Sequence, residues 1–177
     1  MPSRAISAVR ARREYLAALQ QAASCITDAV FVAGGYEASE RSGSVSLAKG
    51  DAVRLRGDPP ISVSIVQRYR IFQNGDRPWA AATVAYHWAI LDGSEREIIA
   101  YHWNPEQRVA FPHLHLGPAA GLGTSRLHKI HLPTGYLVLP DIIGLLITQF
   151  VVRPRRADWK QVLERFRAAA PTVASRG

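Results

Sequence analysis

Cysteine occurs once, at Cys25, so the chain can close no disulfide on itself, and a reducing, cytoplasmic setting is expected. No apolar run reaches the roughly 18–20 residues of a membrane span. The longest, Leu137 to Val152, is interrupted by Pro140, Asp141 and Gln149 and reads as a buried helix, so no membrane partner is expected. The N-terminus carries Arg4, Arg10, Arg12 and Arg13 without an uninterrupted apolar segment or a small-residue cleavage site, which argues against export. Acidic residues are scarce: 14 stand against 22 Lys and Arg, giving a formal charge of +8, and between Ile98 and Leu139 only Glu106 is acidic. That scarcity excludes an oxygen cage for magnesium, and the positive field attracts polyanions, with nucleic acid the natural partner. Neither Gly34-Gly35 nor Gly117 to Gly123 has the strand-loop-helix setting or the lysine of a phosphate-binding loop.

What is present suffices for a core. A chain of 177 residues, 47% hydrophobic, can bury one without staples and fits a single α+β domain over 1–177. Residues 4–26 read as an amphipathic helix through Ile6, Val9, Leu16, Leu19 and Ile26, a face that packs within the domain or makes a homodimer. The Gly- and Ser-rich stretch 34–60 reads as a loop or irregular edge hairpin. Strands are expected at about 61–72, 80–91, 96–104 and 107–116, joined by turns at Asn74-Gly75-Asp76, Asp92-Gly93-Ser94 and Asn104-Pro105. A shorter fifth strand follows over 127–133 after a Gly/Ala loop at 117–126. Such short connections imply an antiparallel sheet of four to five strands. Two helices close the chain, one from Pro140 and Asp141 to about Phe150 and one over 157–169 with Asp158 as its cap. The tail, 171–177, reads as frayed.

The tetrapeptide Ala-Tyr-His-Trp occurs at 85–88 and again at 100–103. If the hairpin closes through two or four loop residues, odd positions of one strand pair with even positions of the other. His87 and His102 then share a face with Thr83, Ala85, Ala89 and Ala100, whose small side chains leave a shallow concavity. Val84, Tyr86, Trp88, Ile90, Ile99, Tyr101 and Trp103 form the opposite, core face.

Chemistry concentrates in the histidines. His113 and His115, separated by one leucine, point to one side of a strand. His128 and His131, three apart, would aim in opposite directions on an extended segment. An imidazole cluster can hold zinc with three nitrogens and an open position, although any second-shell acceptor here would have to be backbone. The metal-free use of the same residues is RNA cleavage: one imidazole takes the 2′-hydroxyl proton, another protonates the leaving oxygen, and cations stabilise the phosphorane. His113, His115 and Lys129, with His102 on the neighbouring strand, are the catalytic candidates. Arg68, Arg70 or Arg126 would bind phosphate, and Tyr69, Tyr101 and Tyr136 would stack on bases or donate a proton. In this version no metal or cofactor is needed.

The strings Ala-Tyr-His-Trp-Asn-Pro, Pro-His-Leu-His-Leu-Gly and His-Leu-Pro-Thr-Gly-Tyr, followed by a helix pair and Asp158-Trp159, resemble small bacterial proteins with an aromatic strand, a His-x-His strand and a Pro-Thr-Gly-then-helix ending. More distantly the chain is similar to the TumE-like toxins of toxin-antitoxin pairs. The likeness spans about residues 61–163. It implies action on RNA, neutralisation by a helix-turn-helix antitoxin, and a histidine strand in His113 and His115. The expectation is therefore a ribonuclease toxin. A non-catalytic basic module that holds nucleic acid or an acidic protein, and a zinc-dependent hydrolase, are the alternatives.

Overall fold

The computed structural model describes residues 3–73, 78–121 and 130–170, the side chains of 3–7 excepted. Helix α1 runs from Ser3 to Ala23 and buries Leu19, Ala22 and Ala23 completely. Its apolar stripe is narrower than its periodicity suggests: Val9 is 68% exposed, and Ile26 is buried in the turn beyond the helix end.

Among the described residues the sheet is antiparallel and has eight strands: β1 (Phe31–Glu37), β2 (Ser42–Leu47), β3 (Val53–Arg54), β4 (Ser62–Phe72), β5 (Ala80–Leu91), β6 (Glu97–Trp103), β7 (His113–Leu116) and β8 (Leu132–Pro133). The spatial order is β1-β2-β4-β5-β6-β7-β8, with β3 beside β4. The stretch 34–60 is thus a hairpin edge and not slack, and it takes the strand count above four to five. Glycine and serine obscure these strands, but small residues are what the packing needs. Gly43 lies under the Tyr69 ring, where an added Cβ would come within 2.7 Å of the phenolic oxygen. The strand expected over 107–116 shrinks to β7, because Trp103 Nε1 donates to the Ala110 carbonyl and holds residues 104–112 as a turn-rich connection. Of the strand expected over 127–133, residues 130–133 are described and only Leu132–Pro133 is strand, and the turn at 74–76 lies outside the described residues.

Helix α2 (Leu139–Thr148) starts with Pro140 in its first turn, and Asp141 Oδ2 accepts the Val138 N–H at 2.9 Å. Helix α3 (Trp159–Ala169) is tied to α2 by Arg167 Nε donating to Asp141 Oδ1. Asp158 stands at the N-cap of α3 without capping it, since its carboxylate is taken by Arg156. Among the described residues no helix is long and apolar enough to cross a membrane.

Helices α1, α2 and α3 belong to the core that covers one face of the sheet. Ile65, Tyr69, Trp88 and Ile90 are fully buried there, each contributing about 1.5–3 kcal/mol by burial. The polar centre of this core is Gln67. Its Oε1 accepts Trp88 Nε1 at 3.1 Å, and its Nε2 donates to the Tyr15 hydroxyl and to Thr83 Oγ1. A pocket of about 230 Å³ lined by Tyr15, Trp79, Tyr136 and Phe166 lies on this helical side, and Glu14 is its one charged lining residue.

Candidate functional site on the open face of the sheet

The other face carries the histidines. Burial alternates along β4: Val63, Ile65, Gln67, Tyr69 and Ile71 are enclosed, while Ser64, Val66, Arg68 and Arg70 point away from the helices. Register transmits this alternation across the sheet. Val66 pairs with His87, His87 with His102 and His102 with His113, so that three imidazoles stand in one row; Ala89 pairs with Ala100 and Ala100 with His115 in the next. The pairing of His87 with His102 is the one the repeated tetrapeptide predicts, reached not through a two- or four-residue loop but through residues 92–96 with a register shift between Ile90/Ile99 and Leu91/Glu97. Tyr86, Trp88, Ile90, Ile99, Tyr101 and Trp103 take the opposite face as expected.

Thr83 departs from that scheme. A register shift between Arg68/Ala85 and Tyr69/Thr83 inserts Val84 as an extra residue and returns Thr83 to the helical side, where it bonds to Tyr15 and Gln67. Such a bulge reverses the side-chain parity of everything before it, and nothing in the local residue pattern announces it. The small residues left on the open face, Ala82, Ala85, Ala89 and Ala100, are all buried beneath their larger neighbours.

The imidazoles form a contiguous cluster. Ring centroids lie 5.3 Å apart for His87 and His102, 5.3 Å for His102 and His113, and 4.9 Å for His113 and His115. His131 joins them, 4.7 Å from His113 and 4.5 Å from His115, because β8 pairs with β7 through Leu132 and Pro133 and sets the preceding residue beside His115. The Thr134 N–H donating to the Pro112 carbonyl secures that edge. His131 and His87 are the residues that spacing alone did not put in the site; the tetrapeptide repeat was the signal for His87, and His131 had none.

His113 is the floor of the cluster at 2% exposure, His102 and His115 are half-buried, and His87 and His131 are exposed. His113 Nδ1 lies 2.8 Å from the Phe111 carbonyl, which can only accept. The proton therefore sits on Nδ1, and the lone pair of Nε2 faces His115 Nε2 at 3.1 Å. Burial, and then the neighbouring imidazoles His87, His113, His115 and His131, push the His102 pKa down to about 4. His115 is lowered by the same causes, burial first. Both rings are thus neutral at pH 7, with nitrogen lone pairs available. One ligand nitrogen from each of His102, His113 and His115 lies within 4.8 Å of the other two, a grouping compatible with a single metal ion.

The remaining candidates are dispersed. Arg68 faces Ala85 and Arg70 faces Ala82 on the open side of β4, three strands from His113, which is about 14 Å of sheet. Arg68 pairs with Glu106 of the β6–β7 connection at 2.8 Å, and this holds the Glu106 carboxyl below its ordinary pKa. Tyr69 is fully buried on the helical face, where Arg12 Nε donates to its hydroxyl at 2.6 Å. Tyr101 shares that face, and burial raises its pKa. Tyr136 packs edge-on against Trp103 and donates to the Thr83 carbonyl; burial raises its pKa to about 12. No tyrosine of the expected base-stacking set therefore stands among the imidazoles. Lys129, Arg126 and His128 lie outside the described residues.

Fold and site together define an α+β protein with helices on one face of an antiparallel sheet and an imidazole cluster on the other. No family model, curated protein or solved structure matches the chain. The site's chemistry therefore carries the functional reading.

Proposed function

We propose that the open face of the sheet is the active site of a ribonuclease, in which the histidines move protons during phosphodiester cleavage and Arg68 and Arg70 hold flanking phosphates. The observation that supports it is the gathering of His87, His102, His113, His115 and His131 on the same exposed face as both arginines, in a chain of formal charge +8. Imidazole takes up and releases protons near neutral pH, and the lowered pKa values of His102 and His115 leave their nitrogens unprotonated and open to a proton or another electrophile. Arginines two apart on a strand present charges roughly 6.6–6.8 Å apart, which suits successive phosphates of a single strand. Phosphate would replace Glu106 as the partner of Arg68. As the toxin half of a toxin-antitoxin pair, the protein would be silenced by a helix-turn-helix partner.

Incubation of the purified protein with total RNA tests the reading. Cleavage is expected, with His115→Ala abolishing it. Arg68→Ala and Arg70→Ala should each weaken binding and lower the salt slope by about 1. Salt-sensitive binding without cleavage would instead make the protein a binding module.

A further inference from the structure

We propose that His102, His113 and His115 form a three-imidazole site for a transition metal ion of the zinc class, with the fourth position open to solvent. The catalytic meaning of the site rests on the ribonuclease reading, whereas the site itself stands on geometry. Phosphodiester cleavage needs an electrophile at the phosphate as well as proton carriers. The open-face arginines Arg68 and Arg70 lie on β4, three strands from His113, and Arg68 is paired with Glu106. A metal ion held by these three histidines would supply that charge, and His87 and His131, beside the ligand set but outside it, would then be left to carry protons.

The geometry matches. Two nitrogens bound to one tetrahedral zinc at ordinary bond lengths lie about 3.3 Å apart; His113 and His115 present their Nε2 atoms to each other at 3.1 Å. The third ligand atom, from His102, is within 4.8 Å, so a side-chain rotation of about 1.5 Å closes the set. The second shell is also in place: the Phe111 carbonyl takes the His113 Nδ1 proton, fixing both ring orientation and tautomer, as backbone acceptors do for ligating histidines.

Ligand chemistry defines the ion. The set holds no carboxylate, since Glu106 is paired with Arg68, and no thiolate, since Cys25 is buried in the helical core. Imidazole alone selects zinc, copper, nickel or cobalt over magnesium and calcium. Three protein nitrogens with a free position are the pattern of catalytic zinc. The enclosed His113 forms the floor and the half-buried His102 and His115 the walls, leaving the outer side for water or a phosphate oxygen. His87 pairs with His102 but falls outside the grouping.

The test uses tag-free, full-length protein stripped with chelator and titrated with zinc chloride by calorimetry, and with cobalt(II) by visible absorption. About one ion per chain is expected, with tetrahedral cobalt bands. His102→Ala and His115→Ala, chosen because these side chains are less enclosed than His113, should weaken zinc binding by about 100-fold or more. His87→Ala should leave it unchanged. Absence of saturable binding, wild-type affinity in His115→Ala, or an equal loss in His87→Ala would overturn the site. RNA cleavage by stripped protein that binds no zinc would overturn the site and leave the ribonuclease reading standing. Zinc binding without RNA cleavage would do the reverse.

Discussion

Gly117 follows the histidine strand β7, and replacing it with alanine tests whether the sheet edge positions the cluster. Its backbone is extended, at φ −76° and ψ 172°, a conformation any residue adopts. On chain entropy alone, Gly117→Ala should stabilise the protein by about 0.4–1 kcal/mol. The surroundings reverse the sign. An added Cβ would fall 2.7 Å from Glu97 Cβ and nearer still to the Glu97 carbonyl oxygen. Ordinary contact is about 3.4–4 Å, and the carbonyl oxygen is the limiting atom, so β7 must move away from β6 by more than about 1 Å. That displacement strains the Gly117 N–H bond to the Ile98 carbonyl, 2.8 Å long, and the pairing of His115 with Ala100. Losing the bond costs about 1 kcal/mol, and the steric shift brings the total to about 2–4 kcal/mol of destabilisation. Urea denaturation of the metal-free protein measures it. Zinc affinity should fall as well, although no ligand has been removed. A variant as stable as the parent, or more so, would refute the close approach and the account of how β7 is held.

Two further outcomes test the core and the cluster. Gln67→Leu removes the acceptor of Trp88 Nε1 and two bonds to Tyr15 and Thr83, and should cost about 1–3 kcal/mol in urea denaturation; zinc affinity should hold, because Gln67 faces the helices. For pH, the folded state binds the His102 proton near 4 and an unperturbed histidine near 6.5. Between those values the unfolded chain carries more protons, so stability is lost as pH falls from about 6.5 towards 4. Urea midpoints of the metal-free protein should drop over that window and do so less in His102→Gln; equal slopes would show that His102 is not the group responsible.

Much of the frame was legible in the residues. The alternation in 61–72 and 80–91, the turn at Asp92-Gly93 and the repeated Ala-Tyr-His-Trp specified β4, β5 and β6 and the pairing of His87 with His102. Pattern succeeds there because one face of each strand carries the bulky residues that pack against the helices, and a slip by one residue would turn Tyr86, Trp88 and Tyr101 away from them together. The same logic is weak for β1 and β2, whose Gly and Ser residues carry little hydrophobic signal and left a loop and an irregular hairpin equally open, although the small residues suit what lies against them, as at Gly43 beneath Tyr69. It fails for Tyr69 itself: alternation put Arg68 and Arg70 on one face and its own ring on the other, so no single face could use all three.

The sequence by itself determined the α+β class, the bulky core face of the central hairpin and the shared direction of His113 and His115, because these follow from local periodicity. Tertiary structure alone decided that Thr83 turns to the helices, that Arg68 and Arg70 lie three strands from His113, and that His131 joins the imidazoles. Those outcomes depend on a bulge, on strand order and on an edge pairing between distant segments, and no periodicity within one segment encodes them.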